Sequence, residues 1–341
     1  MKKFFSAGLL ISAITLILAS CGSGRLKDVD LGGVKVEPVK IKRLDKDMFA
    51  TAPDSFRAAH SRMTAKYGTF YTTFILNIIN HGEERDSVYK ALKLFVTDKD
   101  IRKVQKTVND VYTDTEINKL EDDLTKSFSY FKYHFPSAEM PKQYASYISG
   151  FNFPITTTDT TLGMSLDMYL GANNEYYLML QWPKYKVRYL SKDYLVRDAM
   201  YWWIMHCFDK NEPVNNLLNH MIFHGKIYYA LDAVMPYAED SVKIEYTTKQ
   251  MEYYHQFKKN LWAHFAEKDR LYKNDLKELA PYVAEGPFTT AISKECPPRI
   301  AAYVGWQIVR AYMEKNPEVT LQQLMDEKDA QKILTKSKFK P

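Results

Sequence analysis

The stretch Leu218–Tyr229, LNHMIFHGKIYY, constrains this chain more than any other. The spacing predicts a helix over about 213–235. One stripe of it runs through Leu217, His220, His224, Ile227 and Leu231, and a second through Val214, Leu218, Met221 and Tyr228. A helix that is apolar around most of its circumference is expected to be buried. Its two histidines must then find hydrogen-bond partners or a metal, because an unpaired buried polar group costs roughly 1–3 kcal/mol.

His220 and His224 lie four residues apart and share a helix face, so they can chelate one ion. The zinc-protease signature H-E-x-x-H has this spacing, with a glutamate that activates the zinc-bound water. Here that position is Met221, which has no acid–base chemistry. Ile227 and Ala230 stand where the longer form of the signature places a glycine and a third histidine. Distance along the chain allows Glu245, Glu252 or Glu285 as a third ligand, and Glu285, on the turn Glu285-Gly286-Pro287, is the candidate. The first reading is a structural histidine pair without cofactor. A non-catalytic zinc site comes second, and a zinc hydrolase third.

The N-terminus carries Lys2 and Lys3, then an apolar run from Phe4 to Leu18 too short for a transmembrane helix. It ends in Leu18-Ala19-Ser20-Cys21, which resembles the bacterial lipobox. Residues 1–20 then form a signal peptide, Cys21 carries lipid, and 21–33 form a tether. Each buried acyl methylene contributes about 0.8 kcal/mol, so several chains anchor the protein firmly. No acidic run follows Cys21, and the periplasmic face of the outer membrane is the expected location. A net charge of +6, mixed along the chain without a basic block, gives no nucleic-acid footprint. Cys207 and Cys296 could pair or remain separate thiols.

Along the chain, Val34–Ile41 alternates crudely, and Pro38 makes it an edge strand. Helical patterns follow from about Asp45 to His81, closed by Gly82, and again over 86–133. Residues 143–182 read as strands. Helices are expected at about 193–208, 213–235, 247–266, 297–315 and 320–334. Pro297 or Pro298 would occupy the first turn of its helix, and Thr289 or Thr290 would begin another. Gly305 suggests a close approach to a helix or the sheet. Arg299, Trp306 and Arg310 lie off the main apolar stripe, as an exposed aromatic–cation patch for a partner or as a core-margin tryptophan beside solvated arginines. One of Trp202 and Trp203 should enter the core while the other faces elsewhere. The fold class is α+β, mainly α, with a small central sheet. A helical region over 34–140 joins an α+β core over 141–335 in one compact unit.

Several segments together resemble a known family: the lipobox, IKRLD at 41–45, SGFN at 149–152, LGMSLDMYLG at 162–171, YYALDAVMP at 228–236, EGPFTT at 285–290 and GWQIVRAYM at 305–313. The chain resembles the gliding motility-associated lipoprotein GldB family of Bacteroidota. That resemblance implies a non-enzymatic envelope lipoprotein, with protein partners in the gliding and type IX secretion apparatus. It also implies a degenerate zincin-like core, because the family looks distantly like predicted zinc proteases with H-E-x-x-H at the helix matching 220–224. An atypical zinc hydrolase using His220 and His224, and an envelope-maintenance or binding lipoprotein unrelated to motility, are the alternatives.

Overall fold

A computed structural model describes residues 24–79, 85–209 and 216–341. The signal segment, Cys21, His81, Gly82 and Val214 lie outside the described residues. Among the described residues no helix is long and apolar enough to cross a membrane.

The fold is α+β and mainly α. Its sheet has four strands: β1 (Ile41–Arg43), β2 (Gln143–Tyr147), β3 (Ile155–Thr157) and β4 (Thr161–Ser165), in the order β1-β2-β4-β3. β1 and β4 both run parallel to β2, and β3 is antiparallel to β4. The edge strand therefore begins at Ile41, where Val34–Ile41 was expected to end. Side chains of the helix Asp114–His134 account for the shift. Thr125 Oγ1 accepts from the Val39 amide at 2.9 Å and Glu121 Oε1 from the Ile41 amide at 2.8 Å. Pro38 has no amide to offer a ladder.

Alternation along β2 sends side chains to two apolar layers. Ala145 and Tyr147 join Met48, Phe56, Phe70 and Phe74 from the N-terminal helices. Phe70 lies across Gly163, where a Cβ would stand 2.4 Å from its ring. Tyr144 faces the other way and meets Phe128 at 5.4 Å between ring centroids, in the larger core.

The helix Leu217–Val234 lies within that larger core, buried along nearly its whole length as its all-round apolar pattern requires. Asn216 caps it, its side chain accepting from the Asn219 amide at 2.8 Å. The helix Ile300–Lys315 crosses it backbone to backbone. A Cβ on Gly305 would stand 1.8 Å from the Met221 carbonyl oxygen, and one on Gly225 would stand 2.5 Å from the Gly305 carbonyl. Of the two approaches open to Gly305, the helix is the one found.

Three further expectations are corrected. Pro297 and Pro298 precede their helix, because Arg299 interposes a left-handed residue (φ 53°) before Ile300. Thr289 begins no helix. Its hydroxyl donates to the Pro297 carbonyl at 2.6 Å and its amide to the Cys296 carbonyl at 2.9 Å, bracing a loop. The 320–334 helix is two pieces, Leu321–Asp326 and Ala330–Ser337. Lys226, from the central helix, donates to the Met325 and Glu327 carbonyls at the break, and Asp329 caps the second piece. Cys207 and Cys296 are free thiols, and burial pushes the latter up to about 12. Trp203 is fully buried while Trp202 is 44% exposed.

The exposed patch expected at Arg299, Trp306 and Arg310 does not exist. Trp306 is completely buried, and Arg310 lies over its ring at 3.9 Å. Both turn inward because Asp232, on the central helix, holds them. It accepts from Trp306 Nε1 at 2.8 Å, from Arg310 Nε and Nη2 at 2.7 Å each, and from Lys243 Nζ at 2.8 Å. Neither arginine projects freely into solvent: Arg310, its side chain 28% exposed, also bonds Asp240, and Arg299, 17% exposed, lines a cavity elsewhere. Removing one member of a buried charge cluster strands the others. Asp232→Ala should therefore cost about 3 kcal/mol, at the lower end of such losses because Arg310 keeps Asp240. The urea midpoint checks this; Asp232→Asn, which removes the charge but keeps an acceptor oxygen, should also be destabilised, and an unchanged midpoint in Asp232→Asn would show the charge to be unimportant.

Candidate functional site

The histidines open onto a cavity of about 440 Å³. The helix Lys192–Phe208 contributes Arg197, Asp198, Tyr201 and Trp202 to its wall, and the central helix contributes His220, His224 and Tyr228. Arg188, Tyr189, Glu245 and Arg299 complete the interior, with Glu285 and Gly286 at one edge.

His220 and His224 lie side by side with ring centroids 4.3 Å apart and planes tilted by 39°. Tyr201 Oη meets His224 Nδ1 at 3.3 Å, while His220 Nδ1 is buried without a hydrogen-bond partner. Burial pushes His220 down to about 4. Burial, then His220 and Arg299, push His224 down to about 3. Both rings are neutral at pH 7, each with nitrogen lone-pair capacity.

Beside them lies a network of two arginines and two carboxylates. Arg197 is buried, its Nε donating to the Lys243 carbonyl at 2.8 Å and its Nη1 to Asp198 Oδ1 at 2.6 Å. Arg299 Nη2 donates to the Ile244 carbonyl at 2.9 Å and to Glu245 Oε2 at 2.8 Å. Burial alone would raise Glu245; the charges of Arg197 and Arg299 outweigh it and hold the carboxyl below its ordinary value. Asp198 shows the opposite balance, and burial pushes it up to about 6 despite Arg197. Glu245 (φ 60°) and Arg299 (φ 53°) are both left-handed residues without a glycine's freedom. Such backbone persists only where the surroundings enforce it, and here the two strained residues are each other's ion-pair partners.

The sequence candidates distribute as follows. His220, His224, Glu285 and Arg299 share this cavity, whereas Trp306 and Arg310 belong to the Asp232 cluster. Glu285 is exposed at the edge, and Glu252 is not part of the lining. Among the described residues no group of three or more His, Cys, Asp or Glu is placed to hold a metal ion. Met221 is fully buried and does not line the cavity, so the position of the water-activating glutamate faces protein interior. Arg188, Arg197 and Asp198 were not singled out from the sequence. The available signal was a charged pair, Arg197-Asp198, inside the otherwise apolar run YLVRDAMYWWIM.

Among known proteins, the family model described as gliding motility protein GldB matches residues 26–341. No curated protein and no solved structure matches the chain. The match spans the central helix, the cavity and both apolar layers, and on that extent the chain belongs to the gliding motility protein GldB family.

Proposed function

We propose that this protein is a lipid-anchored, non-catalytic component of the gliding motility apparatus and the type IX secretion machinery linked to it. Cys21 carries the lipid, and the folded part lies on the periplasmic side of the outer membrane, working through contacts with other proteins of the apparatus. The observation that carries this reading is the family match over 26–341.

The chemistry of the cleft supports the absence of catalysis. A hydrolytic site of the H-E-x-x-H type uses its glutamate to take a proton from zinc-bound water. Met221 cannot do so, and Asp198 and Glu245 are both engaged by arginine.

The anchor is tested by Cys21→Ala, which should move the protein from the membrane fraction to the soluble periplasmic fraction and abolish colony spreading in a gliding host. Retention in the membrane fraction would overturn the anchor. Normal spreading after deletion of the whole protein would instead assign it an envelope role apart from motility. Peptide cleavage by the purified protein, lost on His220→Ala, would make it a zinc hydrolase.

A further inference from the structure

The cavity contains polar groups that its own network leaves unused. Arg188 Nε, Tyr189 Oη, Arg197 Nη2 and His220 Nδ1 are buried and lack a hydrogen-bond partner, and all four residues line this one space. A second cavity of about 290 Å³, bordered by Tyr112, Glu116, Lys126 and Tyr237, has no such residue in its lining. Buried polar groups in folded proteins are normally paired, so a concentration of unpaired ones at a single cavity marks a place for a partner.

Charge narrows the partner. Within the walls, Arg188, Arg197 and Arg299 face Asp198 and Glu245, and at the edges Lys186 and Glu285 offset each other. One positive charge is left over. Three arginines against two carboxylates take one more carboxylate to neutrality, whereas a phosphate dianion would overload a buried space that already holds two. A guanidinium also presents a planar fork matched to a carboxylate. Arg188 is fixed in place, its Nη2 donating to Gln250 Oε1 at 3.0 Å and its guanidinium lying 4.4 Å over the Tyr189 ring. Arg197 is 4% exposed, held by Lys243 and Asp198 with Nη2 left over. The remaining wall brings Tyr185, Tyr201, Trp202 and Tyr228 together with apolar Met168, Leu190 and Val283, and Trp202 is 44% exposed. The volume falls within the range of small-ligand pockets.

We infer that this cavity binds one organic carboxylate borne on an apolar or aromatic body, with Arg197 and Arg188 taking the carboxylate and the tyrosines and Trp202 taking the body. The inference stands apart from the lipid anchor and from motility, either of which could fail without touching it. A free small acid and the C-terminal carboxylate of a peptide share this chemistry.

Calorimetric titration of the mature protein with N-acetyl-phenylalanine, N-acetyl-phenylalaninamide, acetyl-Ala-Ala-Phe and inorganic phosphate tests it. At least one carboxylate should bind saturably, and the amide at least tenfold more weakly. Binding of N-acetyl-phenylalanine as tightly as the peptide assigns the site to small acids; binding of the peptide alone assigns it to peptide C-termini. Arg188→Gln should weaken the carboxylate at least tenfold with an unchanged urea midpoint. That variant is preferred to Arg197→Gln, whose buried position risks the fold, and Tyr189→Phe supplies a milder second test. No saturable binding at millimolar carboxylate, equal affinity for the amide, tighter binding of phosphate, or full affinity in Arg188→Gln would each overturn the inference.

Discussion

Gly305→Ala should destroy the fold or lower its stability by at least about 5 kcal/mol, near the extreme for a single substitution. The added methyl would stand 1.8 Å from the Met221 carbonyl oxygen and 2.4 Å from its carbon, and both atoms are backbone. No rotamer change can relieve that contact, as it would if a flexible side chain were opposite. The helices must separate, and the apolar residues on both sides of the crossing lose their packing together. Gly225→Ala should act in the same direction, since its methyl would stand 2.5 Å from the Gly305 carbonyl. Gly33→Ala is the control, with nothing within 4 Å of its Cβ. Soluble yield and urea denaturation read the result. A Gly305→Ala protein as stable as the parent would mean that the two helices do not cross here.

Acid should act on the fold through the buried histidines, and the sign follows from proton counting. His220 and His224 titrate at about 4 and about 3 in the folded chain, against an ordinary 6.5 when unfolded. Between pH 6.5 and these values the unfolded chain binds more protons, so stability falls as the pH falls. The stability is complete above about pH 6.5, and the pair should remove on the order of 5 kcal/mol by pH 4. Asp198, raised to about 6, works against this, because it binds its proton more readily in the folded chain. The histidine contribution is therefore read as a difference. A His220→Gln/His224→Gln protein should show a much flatter loss of stability between pH 7 and pH 4 than the parent. Parallel curves for the two would show that the histidines are not held neutral by burial.

Much of the helical layout was legible because periodicity and caps are local. The helical pattern over 86–133 appears as the three helices Arg85–Thr97, Lys99–Val111 and Asp114–His134. The buried central helix was legible for the same reason, its apolar character running around the whole circumference. What escaped were the consequences of distant pairing. Trp306 and Arg310 sit off the apolar stripe of their own helix, which suggested the surface. Only Asp232, on another helix, turns them inward. Val34–Lys40 has a strand-like alternation, but Glu121 and Thr125 take amides at its end that a ladder would need. The histidine pair was visible from spacing alone. The arginine network around it was not, since Arg188, Arg197, Glu245 and Arg299 come from four separate segments.

The glycine crossing has a mechanical consequence for the cleft. Met221, whose carbonyl meets Gly305, is the immediate neighbour of His220, and Arg299 heads the same helix that carries Gly305. The contacts at Met221 and Gly225 bracket one turn of the central helix, so His220 and His224, the immediate neighbours of those two residues, sit at the crossing itself. The distance from them to the helix headed by Arg299 is set by backbone against backbone, with no side chain between.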